Sequence, residues 1–121
     1  IIASECSEGM GSPEFVEAQR VLCRVGPEPF MAELIARNHA RIDEWQTQML
    51  VKALRKGRIQ LYTSGLRPSD LADIFVDPVV SIEKAVMESV KAHQDNHVAV
   101  VPEGPYVIPV HRPQVQCLTS M

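Results

Sequence analysis

Three glycine-containing loops are the strongest candidates for chemistry in this sequence. They are ECSEGMGS at residues 5–12, TSGLRPS at 63–69 and PEGPY at 102–106. Each follows an apolar stretch typical of a strand, and glycine lets the backbone turn tightly or come close to a ligand. In open parallel sheets, ligands bind beyond the carboxyl ends of the strands. We therefore expect the three loops to share one edge of a sheet.

The first loop has one feature of a phosphate-binding loop, because its glycines precede a predicted helix N-terminus. It lacks both the G-x-G-x-x-G pattern and the Walker lysine. Glu5 and Glu8 would also repel a phosphate group. We expect no nucleotide binding by this loop.

The residues that could bind a metal or act as nucleophiles do not form a catalytic set. His93 and His97 are four residues apart, but the intervening residues favour a solvated loop over the continuous helix that metal-ligand spacing needs. Cys6 lies beside two acids, which disfavour a reactive thiolate. Ser81 and Lys84 have the spacing of a serine–lysine motif, but a helix cap explains Ser81 fully. We expect neither a metal site nor a catalytic residue in this chain.

Trp45 has two interpretations at this stage. It recurs at helical spacing with Met49, Ala53 and Leu54, which favours a core tryptophan that anchors a helix. The other interpretation is a functional surface residue. The residues alone leave both open.

Alternating strands and helices must position these groups. Apolar runs predict strands at 1–6, 58–64 and 97–101. Helical periodicity predicts the helices between the strands, at 13–22, around 30–35, and at 43–56, 67–75 and 81–93. Ser12 before Pro13 is a helix-start signal, and Asp43 with Gln46 resembles a capping box.

Strands separated by helices favour parallel pairing with right-handed crossovers. The predicted fold class is α/β, a three-layer sandwich with a mainly parallel sheet and helical crossovers. Residues 1–110 are expected to form one domain and residues 111–121 a loose tail.

Composition limits the classes of function. The 121 residues carry a net charge of −3 and are 45% hydrophobic, so neither nucleic acid nor an anionic membrane is an expected partner. No apolar run approaches the roughly 20 residues that span a bilayer. Three separated cysteines predict no disulfide framework, which favours a cytoplasmic location.

Four segments carry a resemblance to a known family. They are IIASECSEGMGSPEF, DEWQTQML, RIQLYTSGL and VAVVPEGPYVIP, and they occur in this order between residues 1 and 109. Together they resemble the C-terminal domain of the nickel-pincer-dependent lactate racemase family, whose members interconvert 2-hydroxy acids.

The resemblance implies a two-domain enzyme with its active site in the cleft between the domains. The nickel-pincer nucleotide, its tether and the nickel ligand would belong to an N-terminal domain of the same chain. The domain seen here would close the cleft over a small 2-hydroxy acid, with Trp45 of the D-x-W-Q motif facing the substrate. Glu103 and Tyr106 are candidate contacts at the interdomain rim.

On this hypothesis the 121 residues are part of a longer racemase or epimerase, bind no cofactor themselves and are inactive alone. An apolar face without its partner domain could drive homo-oligomer formation. The alternative hypothesis is a stand-alone, non-catalytic α/β module that binds a ligand or a protein.

Overall fold

The structure is a computed structural model that describes residues 1–110. The predicted tail at 111–121 lies outside these residues. The elements follow in the order β1 (Ile2–Ala3), α1 (Pro13–Val25), α2 (Pro27–Ala36), α3 (Glu44–Leu54), β2 (Gln60–Tyr62), α4 (Pro68–Leu71), β3 (Asp77–Pro78), α5 (Ile82–His93) and a short 3₁₀-helix (Gly104–Tyr106).

The described residues contain a parallel sheet with the strand order β1-β2-β3. Ile2 lies opposite Leu61 in the first pair, and Gln60 lies opposite Asp77 in the second. Helices connect the strands, as parallel pairing requires. The predicted α/β class and the parallel sheet are confirmed, although each strand is shorter than its apolar run.

The third strand is not where the sequence predicts it. Residues 97–101 form no strand and are exposed, whereas β3 pairs with β2. The amides of Asp77 and Val79 donate to carbonyl oxygens of the neighbouring segment at 3.0 and 2.9 Å. Pro78 lies between these two donors, so its missing N–H removes no bond from this edge strand. A two-residue strand that contains proline gives no strand signal in the sequence.

The helix starts follow their predicted signals at two of three positions. The Ser12 hydroxyl accepts the Phe15 amide at 3.1 Å, and the Ser81 hydroxyl accepts the Lys84 amide at the same distance. Ser81 is therefore a helix cap, as predicted. Asp43 makes no side-chain cap to α3 and has a left-handed φ of 60°, so the predicted capping box is wrong.

The hydrophobic core lies among α1, α2 and α3. Its buried members are Leu22, Phe30, Met31 and Val51, and the half-buried Phe75 packs against them from the segment after α4. This core brings the start of α3 close to the loop before α1.

The buried face of α3 differs from the predicted stripe. Trp45, Met49 and Ala53 are exposed, whereas Thr47 and Val51 are fully buried. Val51 on this face packs in the core with Leu22, Phe30 and Met31. On the same face, Thr47 Oγ1 accepts a buried hydrogen bond of 3.0 Å from Gln19 Nε2 on α1, which gives the buried amide the partner it needs.

None of the described helices has the length and hydrophobicity that crossing a bilayer requires.

Candidate functional site

The loops after β1 and β2 meet at the carboxyl edge of the sheet. Thr63 Oγ1 donates to the Glu5 carbonyl at 3.0 Å. Gly65 packs so closely against the Glu5 and Cys6 carbonyls that a Cβ there would collide with them. The prediction that these two loops share an edge is thus correct, and Gly65 is what permits the close approach.

A cavity of about 460 Å³ opens between these two loops, and its charges are balanced. Arg20 pairs with Asp73 at 2.8 Å, and Arg67 pairs with Asp70 at 2.9 Å. The hydrogen bond from Arg67 lowers the pKa of Asp70. Because each guanidinium already has a carboxylate, the cavity offers no free positive charge to an anion.

The third loop does not join the first two. Residues 102–105 line a separate groove of about 840 Å³ with Ile1, Ala3 and the apolar side of α5. Glu103 has a left-handed φ of 54°, and the Tyr106 side chain is 86% exposed on the 3₁₀-helix. The expectation of three loops at one edge is therefore wrong for PEGPY. Because residues 97–101 form no strand of the sheet, PEGPY does not follow a strand end at that edge.

Trp45 lies in the first turn of α3 and is 64% exposed. The core interpretation of this tryptophan is therefore wrong. Its helix start is held by Asp43, whose carboxylate accepts hydrogen bonds from the Ser12 hydroxyl at 2.5 Å and from Gln46 Nε2 of the side chain at 3.3 Å. The loop before α1 thus positions the helix that presents Trp45.

A pocket of about 510 Å³ lies beside Trp45, between the end of α2 and the start of α3. Its apolar side includes Leu34 and Ile35, and its polar side includes Arg37, Arg41 and Glu44. One side of the pocket can therefore bind apolar groups and the other side charged ones.

The polar side is organised by a largely buried ion pair. The Arg37 guanidinium donates twice to Glu44, at 2.7 and 3.2 Å, and the Arg41 amide adds a third hydrogen bond at 3.0 Å. Burial opposes ionisation of Glu44, but these hydrogen bonds and the neighbouring positive charges outweigh it and lower the pKa of Glu44. Glu44 is thus a fixed carboxylate and not a proton carrier at neutral pH.

The two histidines near the end of α5 contact different partners. His93 Nδ1 lies 2.8 Å from the Ser89 carbonyl, and His97 Nδ1 lies 2.6 Å from Asp95 Oδ1. No group of three or more metal-binding side chains occurs within residues 1–110.

Sequence reasoning missed the buried pair of Gln19 and Thr47 and the ion pair of Arg37 and Glu44. Gln19 had a weak signal, because it lies on the apolar side of a predicted helix beside Ala18 and Leu22. The ion pair had none, since its partners come from a helix end and a helix start whose relative positions depend on the tertiary packing.

Comparison with known proteins identifies the family. The family model for the lactate racemase C-terminal domain matches residues 1–109. The chain belongs to this family. The resemblance inferred from the four sequence segments is thereby confirmed.

A curated relative supports the same assignment. Lactate racemase from Thermoanaerobacterium thermosaccharolyticum is 26% identical over 112 residues, which cover 89% of this chain. The chain spans about a quarter, 26%, of that relative's length. No solved structure matches the chain.

Proposed function

We propose that this domain forms the substrate side of a 2-hydroxyacid racemase or epimerase and closes over a cofactor-bearing N-terminal domain of the same protein. Membership of the lactate racemase C-terminal domain family supports this function. The relative named lactate racemase, of which the chain matches only 26%, is long enough to contain such a second domain.

The observation that carries the proposal is the exposure of Trp45 at the rim of a pocket. The core is completed without this side chain, so the indole is free to pack against the apolar part of a substrate. Burying an aromatic face against a ligand also removes water from around it. Trp45 would thereby orient a small hydroxy acid and shield its α-carbon from solvent.

The nickel-pincer nucleotide belongs to the N-terminal domain in this proposal. When bound there, it supplies a hydride acceptor for the α-carbon. The described residues hold no cluster suited to a nickel ion, so no step through that group is assigned to this domain. The role of the domain is to bind, orient and enclose the substrate, and it should be inactive alone.

Glu103 and Tyr106 are proposed as contacts with the N-terminal domain. Tyr106 is strongly exposed next to Val107 and Ile108, which are exposed as well. Tyrosine at such a surface suits an interface, because its ring is apolar and its hydroxyl can donate a hydrogen bond. Glu103, at the groove beside β1, would add a charged contact.

The cytoplasm is the proposed location. Cys6 and Cys23 are free thiols in the described part of the chain, as is usual in a reducing compartment.

The test of this function is stereochemical inversion by the full-length protein that contains this domain. Single enantiomers of several 2-hydroxy acids are incubated with nickel-loaded protein, and chiral chromatography measures the opposite enantiomer. We expect inversion of at least one acid and its loss when residues 1–110 are deleted. Absence of inversion across the panel would exclude the proposed function.

The alternative, a stand-alone binding module, has one specific observation in its favour. The groove beside α5 is large and mostly apolar, with Ile82, Val86 and Val90 on its helical side. A natural gene product that begins close to Ile1 and binds a ligand or protein in this groove would support that alternative.

A further inference from the structure

We infer that residues 97–101, here called the strap, dock in the full-length protein as a fourth parallel strand on the open edge of β1. The sheet then has the order strap-β1-β2-β3. In the structure the strap is exposed and forms no strand. Docking completes the sheet whatever reaction the protein catalyses.

The edge of β1 that faces away from β2 is open among residues 1–110. Strand β1 pairs with β2 alone, and β2 separates it from β3. The side chains of Ile1 and Ile2 are about half exposed, at 48% and 51%. An open edge presents unpaired N–H and C=O groups to which another extended segment can bond. Strand β1 can therefore accept one more neighbour.

The strap has the composition that such a strand needs. Its residues 98–101, VAVV, are all apolar, which is typical of a parallel strand covered on both faces. Val100 is 83% exposed, and residues 98–101 make no backbone hydrogen bond with the rest of residues 1–110. Docking therefore buries apolar side chains and supplies partners for backbone amides and carbonyls.

Helix α5 brings the strap to the side of the sheet where β1 is open. The helix follows β3, which lies at the opposite edge. Its apolar side nevertheless lines the groove of about 840 Å³ together with Ile1 and Ala3. The helix therefore crosses the sheet from the β3 edge to the β1 edge. A strand, a crossover helix and a second strand in one sheet normally form a right-handed parallel unit.

The link between α5 and the strap reverses the direction of the chain. Gln94 ends the helix with a left-handed φ of 53°, a common helix ending, and Asp95 Oδ1 accepts the His97 amide at 2.9 Å. His93, at the end of α5, lines the same groove as Ile1. The chain therefore leaves α5 on the side where β1 begins, which is where a strand parallel to β1 must also begin.

Docking also changes the position of the third glycine-containing loop. In the structure PEGPY at 102–106 lies apart from the loops at 5–12 and 63–69. A strap that runs parallel to β1 ends at the carboxyl edge of the sheet, and PEGPY follows it directly. All three loops then share that edge, and the strap fills part of the groove beside α5.

Hydrogen exchange of the full-length protein, followed by mass spectrometry, tests whether the strap is paired. The matched control is a synthetic peptide of residues 94–105. In a docked strap about half of the amides at 98–101 point to β1. We expect these amides to exchange at least about a hundredfold more slowly in the protein than in the peptide. Equal rates would overturn the docked strand.

A cysteine scan identifies the neighbour of the strap. In a background with the native cysteines changed to serine, Ile2→Cys is combined with one cysteine at each position from 98 to 101. Adjacent strands lie about 4.8 Å apart, which is within reach of a disulfide. Val80 follows β3, so β2 lies between it and β1, and the separation is roughly 10 Å. Ile2→Cys with Val80→Cys is therefore the control pair.

We expect an intramolecular disulfide for at least one strap position and none for the control pair. A disulfide between two chains would show that the strap pairs with a second copy. Slow exchange without any disulfide at position 2 would place the strap elsewhere in the protein. Either of these two results overturns the fourth strand.

Discussion

At the residue scale, exposure is the property of Trp45 that matters for function. An indole that is 64% exposed contributes little to the core, yet it lies where a pocket opens between two helices. Stability and activity should therefore respond differently to its removal.

Replacing Trp45 with alanine should lower turnover of the full-length protein at least tenfold while costing less than about 1 kcal/mol of unfolding free energy. A core aromatic would cost about 3–5 kcal/mol. Urea denaturation and racemisation assays measure the two effects. Met49→Ala is the control, since Met49 is exposed one turn further along α3. Unchanged turnover per folded molecule in Trp45→Ala would rule out a substrate contact.

Glu44 makes stability depend on pH. Although burial opposes its ionisation, the bonds and charges of Arg37 and Arg41 hold its pKa below the ordinary value. A lowered folded-state pKa stabilises the fold above the unfolded pKa of about 4.3, and that contribution is lost as the pH falls through the folded value.

Glu44→Gln should therefore weaken the loss of stability between about pH 5 and pH 3, because glutamine does not titrate. The measurement is the free energy of unfolding by urea across this range. Glu88→Gln is the control, since that exposed side chain makes only a 3.9 Å contact with Lys84. Equal pH slopes for Glu44→Gln and the parent would contradict this account of Glu44.

At the element scale, the start of α1 also positions the start of α3. Ser12 caps α1 by accepting the Phe15 amide, and its hydroxyl donates to Asp43 just before α3. One side chain thereby links the sheet-edge loop to the helix that presents Trp45.

Ser12→Ala is expected to destabilise the domain by about 1–2 kcal/mol, through the lost cap and the lost bond to Asp43. Ser81→Ala is the matched control, because Ser81 caps α5 but otherwise bonds only to Glu83 in its own first turn. Thermal or urea unfolding should show a larger loss for Ser12→Ala. An equal loss in both variants would mean that the bond to Asp43 adds nothing.

At the scale of the whole molecule, several large apolar side chains between residues 98 and 110 are exposed. Val100 and Ile108 are more than four-fifths exposed, and Tyr106 lies between them in sequence. Where such side chains form one patch, they mark an interface or cause self-association. In the proposed function, the N-terminal domain covers the part around Tyr106.

The isolated 121-residue chain should therefore associate with rising concentration, as measured by sedimentation velocity. Changing Val100 and Ile108 together to glutamate should suppress the association. Val80→Glu serves as the control, because Val80 is equally exposed but lies after β3. A chain that stays monomeric at every concentration would show that this surface is not adhesive.

The sequence alone was sufficient for the α/β class, the family and the positions of the longer helices, whereas the helix predicted at 67–75 is only the four-residue α4. The helices were predictable because Ser12–Pro13 and Ser81 are local signals whose partners lie within one turn. The family was recognisable because its segments are continuous in sequence. Local information of this kind does not depend on packing.

Only the tertiary structure decided which face of α3 is buried, where the third strand lies and which residues form the buried ion pair. Helix α3 has apolar residues on several sides, so periodicity could not select a face, whereas the packing of Val51 in the core and the bond between Gln19 and Thr47 do. The pairing of Arg37 with Glu44 joins the residue after α2 to the first residue of α3. These features depend on contacts between residues that are far apart in the sequence, and local sequence patterns do not reveal such contacts.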